Sequence, residues 1–294
     1  MKKIYSLVLA AIVALSVTSC SNDDPKDDTI FPTTKTANDP FDKWLEANYT
    51  YPYNVDFKYK MEDVYSDMKY HLVPADSAKS AKLAIITKFL WFDAYAECVG
   101  PDFVKANVPR IIHLIGSPAY NSGQGTMVLG TAEGGLIVTL YMVNKLTNQM
   151  LTDYDTMNEY YFHTMHHEFT HILNQKKPYS ENFQHITESG YVSGDWYRKN
   201  QRMANTQGFV TPYAMSEARE DFAEMLSVYV TTPPSGWQKI MTTAGKKGAP
   251  LIQAKLDIVR NYMKESWNLD IDQLRDIVIR RASELNSLNL NELK

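Results

Sequence analysis

The stretch His163-Thr164-Met165-His166-His167-Glu168-Phe169-Thr170-His171, "HTMHHEFTH", packs four of the chain's seven histidines into nine positions. Which of them can share one metal ion is a question of helical geometry. Side chains four apart lie one above the other on a helix face, so His163/His167 and His167/His171 are both eligible pairs. All three cannot meet one ion, because eight residues span about 12 Å of helix rise. The neighbouring residue separates the pairs. Glu168 follows His167, giving His-Glu-Phe-Thr-His, whereas His163 is followed by Thr164, which offers no base. Rotated about 100° from His167, Glu168 can reach water beside the metal without ligating. Zinc lowers the pKa of that water and polarises a carbonyl. The carboxylate takes the proton and passes it to the leaving group. A chance match to this spacing arises in roughly 0.01 of chains of this length and composition. One zinc ion on His167 and His171, with Glu168 as base, is therefore expected. His163 and His166 read as surface groups or as neighbours of the ligands.

Outward from this stretch, the pattern is that of a helix. Thr156 to Glu159, "TMNE", fits a capping box, and the helix must stop near Pro178. Upstream, "DSAKSAKLAIITKFLWFDAYAEC" reads as a helix capped by Asp76, with an apolar stripe through Leu83, Ile86, Phe89 and Leu90. "NVDFKYK", "RIIHLIG", "TMVLG" and "GLIVTLYMVN" read as strands of a small sheet. The last of these reads either as an edge strand above a substrate cleft or as an ordinary core strand. Residues 179–213 form an irregular stretch whose aromatics (Tyr179, Phe183, Tyr191, Trp196, Tyr197, Phe209) either line subsites or make a small core. "SEAREDFAEMLSVYV" and two closing amphipathic segments are helical. The fold class expected is α+β, with a small mixed sheet, the histidine helix and a helical C-terminal part.

A catalytic zinc keeps three protein ligands and one open position. The extended metzincin pattern is excluded, since Asn174 and Lys177 stand where it requires glycine and histidine. His185 and Glu188 are donors without a motif. Glu220 and Glu224 in "EDFAE" lie four apart on one helical face, so one can ligate while the other holds a ligand histidine by its distal N–H. Glu217 and Asp221 are lesser alternatives on the same segment.

The N-terminus has its own pattern. Lys2 and Lys3 precede an apolar run from Ile4 to Val17, which is short for a membrane span and suits a signal peptide over residues 1–19. "VTSC" resembles a lipobox, which implies that Cys20 carries a lipid anchor. Residues 20–40 are acidic, polar and proline-bearing, a flexible tether, and the folded domain is expected over 41–294. With Cys20 lipidated, Cys98 has no partner, and it reads as a small buried hydrophobe. Loss of two lysines with the signal peptide takes the formal charge from −4 to −6. Nothing in this balance suggests a nucleic-acid partner.

His167-Glu168-x-x-His171 followed by Glu220-Asp-Phe-Ala-Glu224 resembles the gluzincin metallopeptidases, whose third ligand is a glutamate on a downstream helix. The Glu-x-Phe-Ala-Glu form is similar to that of anthrax lethal factor. This resemblance implies Glu220 as ligand, Glu224 as the partner of a ligand histidine, and Tyr213, seven residues before Glu220, as a donor to the oxyanion. From lipobox to closing helices, the chain also resembles the zinc-binding metallopeptidase lipoproteins of Bacteroidetes, also called substrate import-associated zinc metallohydrolases. That resemblance implies a zincin-like fold and a lipoprotein exposed on the outer membrane. It also implies a peptide or glycopeptide substrate and an association with a TonB-dependent import complex. A non-peptide metallohydrolase, and a peptide- or glycan-binding lipoprotein with a structural zinc, are the rival expectations.

Overall fold

The computed structural model describes residues 39–293, apart from residues 68, 122–125, 129, 134 and 135. The expected signal peptide, Cys20 and the tether up to residue 38 lie outside the described residues. The first helix, α1 (Pro40–Leu45), starts where Asp39 accepts a hydrogen bond from the Phe41 N–H at 2.9 Å, with proline in the first turn. Strand β1 (Asp56–Lys58) follows. Asp76 caps α2 (Ser77–Thr87) as expected, accepting from the Lys79 N–H at 2.9 Å. A wider helical turn leads into α3 (Asp93–Val99), then α4 (Pro101–Asn107).

Strands β2 (Ile111–Leu114), β5 (Gly130–Glu133) and β6 (Ile137–Leu140) complete a four-stranded sheet in the order β1-β2-β6-β5. The first three strands run parallel, and β5 is antiparallel to β6. A hairpin of β3 (Ala119–Asn121) and β4 (Thr126–Val128) stands apart from it. Of the two readings of "GLIVTLYMVN", the core strand holds. β6 lies inside the sheet, and Val138, Thr139 and Leu140 are all buried, so both its faces are covered. The edge strands are β1 and β5, and β5 is the neighbour of β6. Gly130 on β5 lies against the histidine helix: a Cβ there would fall 2.4 Å from Thr164 Cγ2.

The histidine helix begins earlier than the capping box predicts. A short helix α5 (Tyr154–Met157) runs through a wider turn at 158–162 into α6 (His163–Lys176). Thr156 is therefore inside the helix, and its hydroxyl donates to Asp153 Oδ2 at 2.6 Å instead of capping. Tyr154 holds this early start by donating to the Thr231 carbonyl at 2.7 Å and stacking on Phe162. The helix stops two residues before Pro178, as the proline requires.

The longer helices that follow include α7 (Gln201–Thr206), α8 (Ala218–Thr231), α9 (Pro234–Trp267, broken at Gly245) and α10 (Ile271–Ser283). Helix α6 turns Met165, Phe169, Ile172 and Leu173 into the core. Phe169 meets Tyr95 edge-on at 4.9 Å and Trp91 at 5.8 Å, a burial worth about 1.5–3 kcal/mol. Helix α8 is buried along its length from Glu220 to Thr231, which makes it the central helix. Three of its buried residues are acids, Glu220, Asp221 and Glu224, and each must find a partner there. Among the described residues, no helix is long and apolar enough to cross a membrane.

Candidate metal centre

Helices α6 and α8 bring His167, His171 and Glu220 together. His167 Nε2 lies 2.9 Å from Glu220 Oε2, His171 Nε2 lies 3.2 Å from the same oxygen, and the two nitrogens are 3.0 Å apart. Ligand atoms around one tetrahedral zinc at 2.0–2.1 Å stand about 3.3 Å from each other, close to this triangle. The donor chemistry also fits a cation. His167 Nδ1 lies 2.8 Å from Glu224 Oε1, and a carboxylate oxygen only accepts, so Nδ1 carries the ring proton. In the neutral ring, Nε2 then aims a lone pair at the Glu220 carboxylate and at a second imidazole nitrogen. Three potential ligand atoms thus converge, and their lone pairs repel one another unless a proton or a metal ion sits among them.

A proton on His167 can fill that role. Burial works against a charged His167 ring, but hydrogen bonds to Glu220 and Glu224 outweigh it and raise its pKa to about 10. Burial likewise pushes Glu220 upward, and the two histidines reverse this, holding the carboxyl below its usual range.

Glu224 supports the triangle from behind. Its Oε1 takes the His167 Nδ1 proton, and its Oε2 accepts from the Thr211 hydroxyl. Thr211 Oγ1 in turn accepts from the Ala214 N–H at 3.1 Å, which fixes the hydroxyl's direction. His163 Nε2 also approaches Glu224 Oε1, at 2.8 Å, but off the hydrogen-bonding line. His163, His167 Nδ1 and Glu224 make a second grouping that could hold an ion. There, however, Glu224 is already engaged by the His167 N–H and the Thr211 hydroxyl, so the triangle on Glu220 is the better cation site. His163 thus touches Glu224 and lies outside the triangle of His167, His171 and Glu220.

Tyr213 lies beside His167, its ring 5.7 Å from that of the histidine and about one-third exposed (37%). Burial, then the charge of Glu220 and a hydrogen bond to it, push its phenol well above the ordinary range, so it keeps its proton. Glu168, half-buried on α6, adds its negative charge at both His167 and Tyr213.

The other candidate donors fall elsewhere. His185 and Glu188 pair with each other at 3.2 Å on the surface. Glu217 is exposed and pairs with Arg219. Asp221 is fully buried against Lys255 Nζ at 2.5 Å, with Tyr191 donating to it at 2.8 Å. His166 faces the core, its Nδ1 3.0 Å from the Tyr95 hydroxyl, and burial lowers its pKa to about 3. Cys98 is half-buried and burial raises its thiol to about 11, so it is no nucleophile. Thr211 and the Asp221–Lys255 pair escape a reading of the sequence, because their partners are 13 and 34 residues away and follow no helical spacing.

Residues 34–272 match the family described as "Putative zinc-binding metallo-peptidase". A crystal structure from Bacteroides caccae that carries the same description is similar to this chain at 46% sequence identity and a TM-score of 0.76. The similarity covers 90% of this chain and 100% of that one. Among curated proteins, none matches significantly. The matched span reaches from before α1 to the first turn of α10 and contains both helices of the His/Glu triangle, and the chain belongs to this zinc-binding metallo-peptidase family.

Proposed function

We propose that the protein hydrolyses peptide (amide) bonds with one zinc ion held by His167, His171 and Glu220. Membership of the family supports zinc-dependent peptidase chemistry. The observation that carries the residue assignment is the convergence of three lone-pair donors, 2.9–3.2 Å apart, with the proton of His167 turned away onto Glu224. Zinc in such a site supplies Lewis-acid polarisation of the scissile carbonyl and makes water more acidic.

The chain's own residues do the rest. Glu168 accepts the proton of the attacking water on its carboxylate and hands it to the leaving nitrogen. Tyr213, still protonated at any working pH, donates its hydroxyl hydrogen to the developing oxyanion. Glu224 keeps the His167 ring in one tautomer and one orientation, with Thr211 holding Glu224.

The proposal extends to the setting. A lipid on Cys20 anchors the protein at the outer membrane, facing outward, where it supplies a TonB-dependent import system with cleaved peptide or glycopeptide. The signal-peptide pattern and the cysteine at the end of "VTSC" support this part. Labelling cells with radioactive palmitate tests it: wild type takes up label and Cys20→Ala does not.

For the chemistry, zinc content and a peptide-library digest are compared between wild type and Glu168→Gln. About one zinc per chain is expected in both, with cleavage slower by about 10²-fold or more in the variant. A metal-free wild type, or a variant that cleaves as fast, overturns the assignment.

A further inference from the structure

Not every aromatic residue of the 179–213 stretch belongs to the core. Phe183 and Phe209 are fully buried, Tyr179 stacks on Phe222 at 4.0 Å, and Tyr191 packs edge-on against Phe209 at 5.4 Å. These four belong to or pack on the hydrophobic core, whereas Trp196, Tyr197 and Tyr213 do not. Trp196 is half-buried and meets Tyr213 at 5.0 Å, with the two ring planes at 75°. The rings therefore form a corner, and one wall of that corner is the tyrosine beside His167.

The segment that carries Trp196 is built to hold it there. The Val192 N–H donates to the Met215 carbonyl at 2.8 Å, and the Ser193 N–H donates to the Ser216 carbonyl at 3.0 Å. These bonds clip the turn Ser193–Arg198 to the turn that bears Tyr213. Ser193 adopts φ 49°, a left-handed conformation that costs a non-glycine residue about 1–2 kcal/mol. Such strain persists where surrounding contacts impose it, and it clusters at functional sites. The nearby cation Arg198 is occupied: its Nε donates to the Tyr197 hydroxyl at 3.0 Å and its guanidinium pairs with Asp195 at 3.4 Å. The corner thus presents two rings and no uncommitted positive charge from Arg198.

We propose that Trp196 and Tyr213 form the apolar wall of a subsite that takes a large aromatic side chain of the substrate next to the scissile bond. A third ring in such a corner gains edge-to-face contact beyond its area burial. The proposal rests on the peptidase reading, but binding tests it independently of cleavage.

The probes are acetyl-pentapeptide amides of alanine with a single Phe, or a single Lys, scanned through each position. In wild type, Phe at one position flanking the cut raises kcat/KM by about ten-fold or more over the all-alanine peptide. In Trp196→Ala the ratio falls to within about three-fold, and in Trp196→Phe it is largely kept, by the same area argument. Zinc content and melting temperature confirm that each variant is folded. In parallel, the zinc-loaded Glu168→Gln protein is titrated by calorimetry with the Phe and all-alanine peptides, with and without Trp196→Ala. Tighter binding of the Phe peptide that depends on Trp196 supports the subsite, even if no peptide is cleaved and the peptidase reading falls. A ratio unchanged by Trp196→Ala, no preference for Phe in wild type, or a preference for the Lys peptide overturns it.

Discussion

Replacing Lys255 by Met is expected to destabilise the protein far more than its shape change suggests. Both side chains of the Lys255–Asp221 pair are fully buried. The ammonium donates to Asp221 Oδ2 at 2.5 Å and to the Gly208 carbonyl at 3.0 Å, and its remaining side lies 3.9 Å from the centre of the Phe209 ring. Met fills nearly the same volume, so little cavity forms. The cost comes from the charge left behind, since Asp221 would keep only the Tyr191 hydroxyl, and its Oδ1 already has no partner. Breaking a buried pair on one side costs about 3–5 kcal/mol. For a domain of this size that is roughly 6–20 °C in melting temperature.

The double variant Lys255→Met/Asp221→Asn removes both charges, but leaves the Gly208 carbonyl without its donor and the buried Asn side-chain N–H without an acceptor, at about 1–3 kcal/mol each. The pH dependence has a definite sign. With lysine present, burial already pushes Asp221 from 3.8 up to about 6. Without the lysine its folded-state pKa is expected to rise further. Over the range between the unfolded and folded values, the folded state then binds the extra proton, and stability falls as pH rises. The deficit of Lys255→Met relative to wild type should therefore shrink from pH 8 toward pH 5. Urea unfolding of the zinc-loaded proteins measures all of this. A single-variant loss below about 1 kcal/mol, or a deficit that does not shrink toward pH 5, would refute the reasoning.

Other predictions concern the metal centre. Glu224→Ala frees the distal N–H of His167 and should weaken zinc binding by about 10–100-fold, read by competition with a chromophoric chelator. His171→Ala should lose zinc on dialysis, whereas His163→Ala should keep most of it, and equal loss in both would mean that the ion sits in the wrong register along that face of α6. His166 is buried with its pKa lowered to about 3 by desolvation, while the unfolded chain titrates near 6.5. The unfolded state therefore binds the proton below 6.5, and stability falls by about 2 kcal/mol from pH 7 to pH 5 through this residue. His166→Asn should flatten that slope in urea titrations, and an unchanged slope would assign it to other groups.

Much of the candidate site's arrangement was legible because helical spacing is local. His167 and His171, and Glu220 and Glu224, each share a face through backbone geometry that any helix imposes, and Glu168 follows by rotation. The class of fold was legible for the same reason, as were Asp76 as a cap and the stop before Pro178. The start of the histidine helix, at α5, was not. Thr156 sits in a good capping pattern, but Tyr154 is tied to Thr231 on another helix, and a contact 77 residues away overrides a local preference. Strand order was likewise hidden. β6 and β5 are both short, and which one forms the edge depends on where β2 pairs.

The sequence by itself determined which residues could be ligands, because periodicity places side chains on faces without reference to the rest of the chain. Only the tertiary structure decided which of them meet. Helices α6 and α8 are 41 residues apart between Lys176 and Ala218. Their packing brings Glu220 to both histidines, sends Asp221 to Lys255, and turns Glu224 onto His167 and Thr211. A difference of one position on α8 rotates a carboxylate by about 100°, and the core packing of Phe222 and its neighbours sets that rotation.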